Sequence, residues 1–229
     1  MPAGSKWCAG YPDLLTVPTV DLWRIHDRTY AASAANPRSK ARWALRDTHA
    51  MLYAADSLAG ALWETLLRYS QIRPGRVAEF DLSRLDGQVA SRIRLRRADL
   101  PLLELGRPGL LSLFPDGDGP EVQAVNRLLT TPKHRGTHAE ARRLFQDLQA
   151  VGVSDMPVLS WPSRQFPRST VYLAYEPPMD DTWWEELGDP IALDDPDTGH
   201  KLLQRELADH GFTWKPISSD ATEPSNDTA

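Results

Sequence analysis

Apolar and polar residues alternate in several short runs along the chain, and a period of two marks each run as a strand half-buried against a core. Val20, Leu22 and Arg24 alternate with Asp21 and Trp23, and Met51-Leu52-Tyr53-Ala54 is an apolar run of strand length. Val77, Glu79 and Asp81 lie opposite Ala78, Phe80 and Leu82, and the segment from Gln88 to Leu95 alternates again. Pro157 to Trp161 and Thr170 to Tyr175 read as closing strands. After the second run the period lengthens: Leu58, Leu62, Leu66 and Ala59, Trp63, Leu67 recur at helical spacing, with Asp56 or Ser57 placed to cap the helix. Gly60, Glu64 and Arg68 fall on a separate stripe, so Glu64 stands beside a glycine with room for a ligand. Two further helices are expected. One runs from Glu121 to Leu129 and is ended by Pro132; the other opens on the capping-box pair Thr137 and Glu140, presents Ala141, Leu144, Phe145 and Leu148, and stops at Gly152. Asp116 to Pro120 reads as a turn.

These elements divide the chain. Residues 1–17 form an irregular lead-in rich in small residues, and residues 18–178 carry the regular pattern of one domain. Residues 179–215 are a C-terminal extension, acidic at first, that Trp183, Trp184, Phe212 and Trp214 would dock onto the domain, with helical character over 200–210. Residues 216–229 contain no large apolar side chain after Ile217 and are expected to be a disordered tail. The tryptophans make a homodimer an expectation, with packing inside one chain as the alternative.

Charge and composition remove several function classes. The formal charge of −5 disfavours a nucleic-acid surface, which needs clustered excess Lys and Arg. The one basic run, Arg92 to Arg97, alternates with apolar residues and reads as the wet face of a strand. Cys8 is the sole cysteine, so no intrachain disulfide framework is expected, and the compartment expected is the cytoplasm. No apolar run is long enough to span a bilayer, so no membrane association is expected. The six histidines lack metal-site spacing, His138 reads as a surface imidazole at a helix start, and no metal is expected. Phosphate-loop, Rossmann and nucleophile-elbow glycine patterns are missing as well.

What remains is a set of separated pieces: Arg24-Ile25, Ala41-Arg42-Trp43-Ala44, Leu52-Tyr53, Ala61-Leu62-Trp63-Glu64 and Trp161-Pro162-Ser163-Arg164. In order and approximate interval they resemble the RES domain, a family named for its Arg, Glu and Ser. The resemblance covers roughly residues 20–176, with Ala41 and Ala44 standing where that family has Gly and Asn. It implies an α+β fold of the ADP-ribosyltransferase type, with mixed or antiparallel sheets and flanking helices. It also implies a toxin that consumes NAD by hydrolysis or phosphorolysis, restrained by an antitoxin with a helix-turn-helix domain. NAD would be substrate rather than cofactor, inorganic phosphate a co-substrate, and no other cofactor is expected.

On that resemblance Glu64, Arg24, Tyr53 and Ser163 are the catalytic candidates. Arg42, Trp43 and Ser160 are assigned to substrate binding, Ser160 being the alternative if the register of the functional serine is displaced. A carboxylate suits the chemistry, because the nicotinamide ring leaves as a neutral molecule and the developing charge sits on the ribose. Arginine forks suit a pyrophosphate in a way lysine does not. Each residue also has an ordinary reading: Glu64 as an exposed helical glutamate, the arginines as salt-bridge partners, Tyr53 as core and Ser163 as a turn residue. Three functions follow: an NAD-consuming enzyme first, ADP-ribosyl transfer onto a macromolecule second, and a silent binding module third.

Overall fold

The computed structural model describes residues 15–18, 20–97, 100–113, 119–131, 135–150, 152 and 155–217. In chain order the elements are β1 (Leu15–Thr16), β2 (Asp21–Asp27), β3 (Ala50–Ala55), α1 (Leu58–Thr65), β4 (Gln71–Arg73), β5 (Val77–Asp81), β6 (Gln88–Leu95) and β7 (Pro101–Glu104). Then come α2 (Arg107–Leu113), α3 (Pro120–Thr130), α4 (Arg135–Ala150), β8 (Val158–Pro162), β9 (Thr170–Glu176), β10 (Trp184–Ala192), α5 (Gly199–Asp209) and β11 (Thr213–Ile217). Among the described residues the strands form an eight-stranded sheet, β1-β7-β8-β9-β3-β2-β6-β10, and a three-stranded sheet, β11-β5-β4. The large sheet is antiparallel except at β7 and β8. In the small one β11 runs parallel to β5.

The alternation in the sequence sorts side chains between the two faces of the large sheet. Met51 and Ala55 of β3 join Leu159, Trp161, Leu173 and Tyr175 in a core beneath α3 and α4, where Val122, Val125, Ala141, Leu144 and Leu148 are buried. Leu52 and Ala54 point the other way, into a second core with Leu22, Ile93, Leu95, Trp183 and Trp184. A third core joins Leu62, Leu66 and Leu67 to Phe80 and Leu85 and to Leu203 and Leu207 of α5. Trp23 and Ile25 of β2 pack against both the first and third cores, which therefore share one face.

One irregularity in the sheet creates the site. β2 and β3 pair through Trp23 and Ala55 and then diverge. The segment after β2 enters the gap, and Asn36 exchanges backbone hydrogen bonds with Met51 at 2.8 and 3.2 Å. The sheet is thus split along part of its length, and one side of the split is overlooked by α1.

Several expectations are corrected. Ser57 caps α1, its side chain accepting from Gly60 N, while Asp56 binds elsewhere. Thr137 lies inside α4, which begins two residues earlier, so it is not a cap; it is fully buried. Gly119 and Pro120 open α3, while 116–118 of the expected turn lie outside the described residues. Leu15–Thr16 is a strand paired with β7 rather than irregular lead-in, and residues 1–14 lie outside the described residues. The segment after 178 supplies the eighth strand of the large sheet through β10 and the parallel partner of β5 through β11. β11 continues to Ile217, past the expected start of the tail, and 218–229 lie outside the described residues. Trp183 and Trp184 are buried in the core of their own chain, the packing alternative for these residues. No helix among the described residues is long and apolar enough to cross a membrane.

Candidate active site

Helix α1 carries Glu64 at its C-terminal end. The helix forms because Ser57 satisfies Gly60 N and because Ala61 and Leu62 supply a buried apolar face. Glu64 is itself buried, at 9% exposure, which for a carboxylate demands hydrogen-bond partners. Ser163 Oγ donates to Glu64 Oε1 at 2.6 Å, and Gln165 N donates to the same oxygen at 3.2 Å. Tyr53 lines the same cleft as Glu64, close enough for the carboxylate charge to act on its phenol. Burial first, and the Glu64 charge second, push the Tyr53 phenol well above its ordinary range, so it stays a proton donor at neutral pH.

The partners of Glu64 come from a tight turn after β8. Ser163 N donates to Ser169 O at 2.7 Å and Phe166 N to Ser163 Oγ at 2.8 Å. Ser169 Oγ donates to Asp56 Oδ1 at 2.5 Å and Thr170 N to Asp56 Oδ2 at 3.0 Å, so the turn is clamped to the residue before the α1 cap. Gly60 explains how closely helix and turn approach. A Cβ there would lie 2.0 Å from Ser169 Oγ. The glycine makes room for the turn, not for a ligand.

Where β2 and β3 part, a cavity of about 500 Å³ opens in front of this cluster. Its wall includes Glu64, Tyr53 and Arg24, and four more basic side chains, Lys40, Arg42, Arg68 and Arg164. Five basic residues and one acidic residue line a cleft in a chain whose formal charge is −5. Such concentration favours a polyanionic ligand.

The arginines are held in different ways. Arg42 donates to Leu128 O and, at 2.9 Å, to Thr131 O, the carbonyl end of α3, where a cation complements the helix dipole. Its guanidinium is therefore partly structural; burial and the nearby Arg164 charge lower its pKa, with Tyr53 and Glu64 opposing. The turn before it is braced by His138, which contacts Ala41 O at 2.9 Å; this half-buried imidazole is not the surface one expected. Arg24 Nη1 donates to Ala32 O at 2.5 Å, and burial lowers its pKa to about 10.

Two sequence assignments are corrected by position. Trp43, expected to bind substrate, is completely buried in the core with φ of +64° and does not line the cavity. Tyr175 Oη donates to Trp43 O at 2.8 Å, so the residue anchors the Arg42 loop from within. Ser160 is buried in β8 two residues from Val158, whose side chain enters the second core; it faces away from Trp161 and from the cavity. Ser163 is the serine that meets Glu64. Lys40, Arg68 and Arg164 were given no role from the sequence. Arg68 lies one helical turn beyond Glu64, and Arg164 follows Ser163, which were the available signals.

A family model described as the RES domain matches residues 21–184. The chain belongs to the RES-domain family. Within this RES domain Arg24 and Glu64, far apart in sequence, line one cleft, and Ser163 hydrogen-bonds Glu64. No curated protein matches the chain in sequence. Among solved structures it is similar to a chain of the M. tuberculosis MbcT-MbcA toxin-antitoxin complex, at 13% identity and a TM-score of 0.54, covering 84% of this chain and 92% of that one. The RES domain here accordingly shares the α+β fold of that chain.

Proposed function

We propose that this RES domain cleaves the nicotinamide–ribose bond of NAD and acts as the toxin of a toxin–antitoxin pair. The observation that carries the reading is a single buried carboxylate, Glu64, fixed by Ser163 and Gln165, in a cleft whose other charged side chains are all cations. The cations suit the pyrophosphate, and the carboxylate suits the positive charge that grows on the ribose as the bond lengthens. Bond cleavage sends the electron pair to the ring nitrogen and releases neutral nicotinamide. The oxygen of water or of inorganic phosphate forms the new bond at the anomeric carbon, and the proton of water is lost to solvent. Tyr53, kept protonated, lines the cleft with Glu64, where its phenol can donate a hydrogen bond to the ligand.

A lone carboxylate is sufficient because the departing ring needs no proton, unlike an ordinary glycosidic leaving group, which calls for a carboxylate pair. The toxin reading draws on family membership and on the fold shared with a chain of a toxin–antitoxin complex. An antitoxin with a helix-turn-helix domain would be its partner, and the cytoplasm its compartment. The test is nicotinamide release from NAD by purified protein, with and without inorganic phosphate, beside Glu64→Gln. Release that disappears in the variant supports the reading, and dependence on phosphate identifies phosphorolysis. Folded, inhibitor-free protein that releases no nicotinamide overturns it.

A further inference from the structure

We infer that the cleft continues through the split sheet, and that a second cavity beyond Arg24 receives the other nucleoside of the dinucleotide while Arg24 holds the pyrophosphate between the two halves. This rests on the dinucleotide reading above and adds where the distal half lies.

The second cavity measures about 510 Å³ and shares Arg24, Ile25 and Asn36 with the first. Each volume is ordinary for a small-molecule site. Along β2, Leu22, Arg24 and His26 alternate to the face opposite Trp23 and Ile25, and Leu22 belongs to the core on that side. Arg24 thus leaves the Glu64 side of the sheet and stands in the wall common to both cavities. Of its five N–H donors only one meets a described acceptor, Ala32 O. The Glu186 charge bears on it, but among the described residues no carboxylate forms an ion pair with it, and a buried guanidinium so sparsely bonded suits an anion.

The rest of the lining, in which Asp27 offsets Arg38, suits a base better than a second phosphate. Tyr30 lines it with 66% of its surface exposed, an aromatic ring on which a base can stack. The Gln88 amide has no hydrogen-bond partner among the described residues, and one amide offers both a donor and an acceptor to a base edge. His26 is not free for chemistry, since Nε2 meets Ser91 Oγ at 2.9 Å and Nδ1 meets Asp27 O at 3.0 Å. It forms a fixed, neutral floor, its pKa lowered chiefly by burial.

The experiment compares NAD with nicotinamide mononucleotide, which lacks the distal nucleoside, on the whole chain, on Tyr30→Ala and on Ala35→Trp, the latter filling the cavity. Tyr30 is exposed, so its replacement leaves folding intact. The expected result is a rise in KM for NAD of about tenfold, the equivalent of one lost base-stacking contact, with kcat nearly unchanged. Cleavage of the mononucleotide should be unaffected, and AMP should compete with NAD on the whole chain but more weakly on both variants. Unchanged KM for NAD in both folded variants, or an equal shift for both substrates, overturns the inference and leaves the NAD reading standing. An unaltered chain inert toward both compounds overturns the NAD reading and this inference with it.

Discussion

Removing the Ser163 hydroxyl should cost both stability and turnover, by amounts that follow from its two bonds. Ser163 Oγ donates to the buried Glu64 carboxylate at 2.6 Å and accepts from Phe166 N at 2.8 Å. A hydrogen bond to a charged group contributes about 1.5–3 kcal/mol, and stranding a partly buried amide adds about 1 kcal/mol. Ser163→Ala should therefore lose about 3 kcal/mol, which for a chain of this size lowers Tm by about 6–12 °C. Glu64 keeps Gln165 N on Oε1 at 3.2 Å but loses the shorter of the two anchors. If about 2 kcal/mol of the loss falls on the productive rotamer, kcat drops about thirtyfold with little change in KM. Thermal unfolding and nicotinamide release measure the two effects, with Ser160→Ala as the comparison because that side chain faces away from the cavity. A Ser163→Ala protein as stable and as active as the original, or a Ser160→Ala protein equally impaired, would refute the assignment.

Glu64→Gln should lower nicotinamide release by at least about a hundredfold at nearly unchanged KM, since a charge opposed to a developing cation acts mainly in the transition state; a loss confined to KM contradicts that role. Gly60→Ala should destabilise the fold by about 2–3 kcal/mol or more through overpacking, because the new Cβ meets Ser169 Oγ at 2.0 Å, and denaturant unfolding checks it. His210 stands edge-on to both Trp63 and Phe166, so His210→Ala should loosen the 163–169 turn and reduce kcat about fivefold, the value of roughly 1 kcal/mol of ring contact; unchanged kcat argues that the turn is held without it. Burial lowers the pKa of His26 and His49, so the unfolded chain binds their protons first. Their contribution is intact above about pH 6.5 and is lost as pH falls from there toward the folded values. A His26→Gln, His49→Gln protein should show a shallower fall in stability between about pH 6.5 and 5 than the original, and identical slopes would contradict the burial effect.

Strands half-buried against one core were legible because their alternation survives in the sequence: β6 occupies Gln88–Leu95 as expected, with Arg92 and Arg94 exposed and Ile93 and Leu95 buried. The strand β10 was not, because an edge strand with Glu185, Glu186, Gly188 and Pro190 carries no such contrast, its partner being β6 on one side alone. At the site, Glu64 was placed by helical spacing and the resemblance. The distinction between Ser160 and Ser163 needed the strand's facing, and Trp43 was misread because a motif names neighbours without saying which points inward. Lys40, Arg68 and Arg164 converge from three segments of chain, and nothing local in the sequence records that convergence.

The geometry also explains why so much chain outside the cleft is needed to hold one carboxylate. Oε1 of Glu64 is committed to the 163–169 turn, so the position of the carboxylate is only as fixed as that turn. The turn is fastened on one side to Asp56, at the start of the helix that carries Glu64, closing a loop of contacts around the residue. On the other side Phe166 rests against His210, and Glu206 of α5 takes the Trp63 Nε1 hydrogen at 2.9 Å. Trp63 is the residue next to Glu64. The segment beyond residue 184, where the family match ends, therefore bears on the carboxylate from two directions, through its own helix and through the turn that binds it. Such a segment belongs to the scaffold of the site, and a change in α5 reaches Glu64 without touching the cleft.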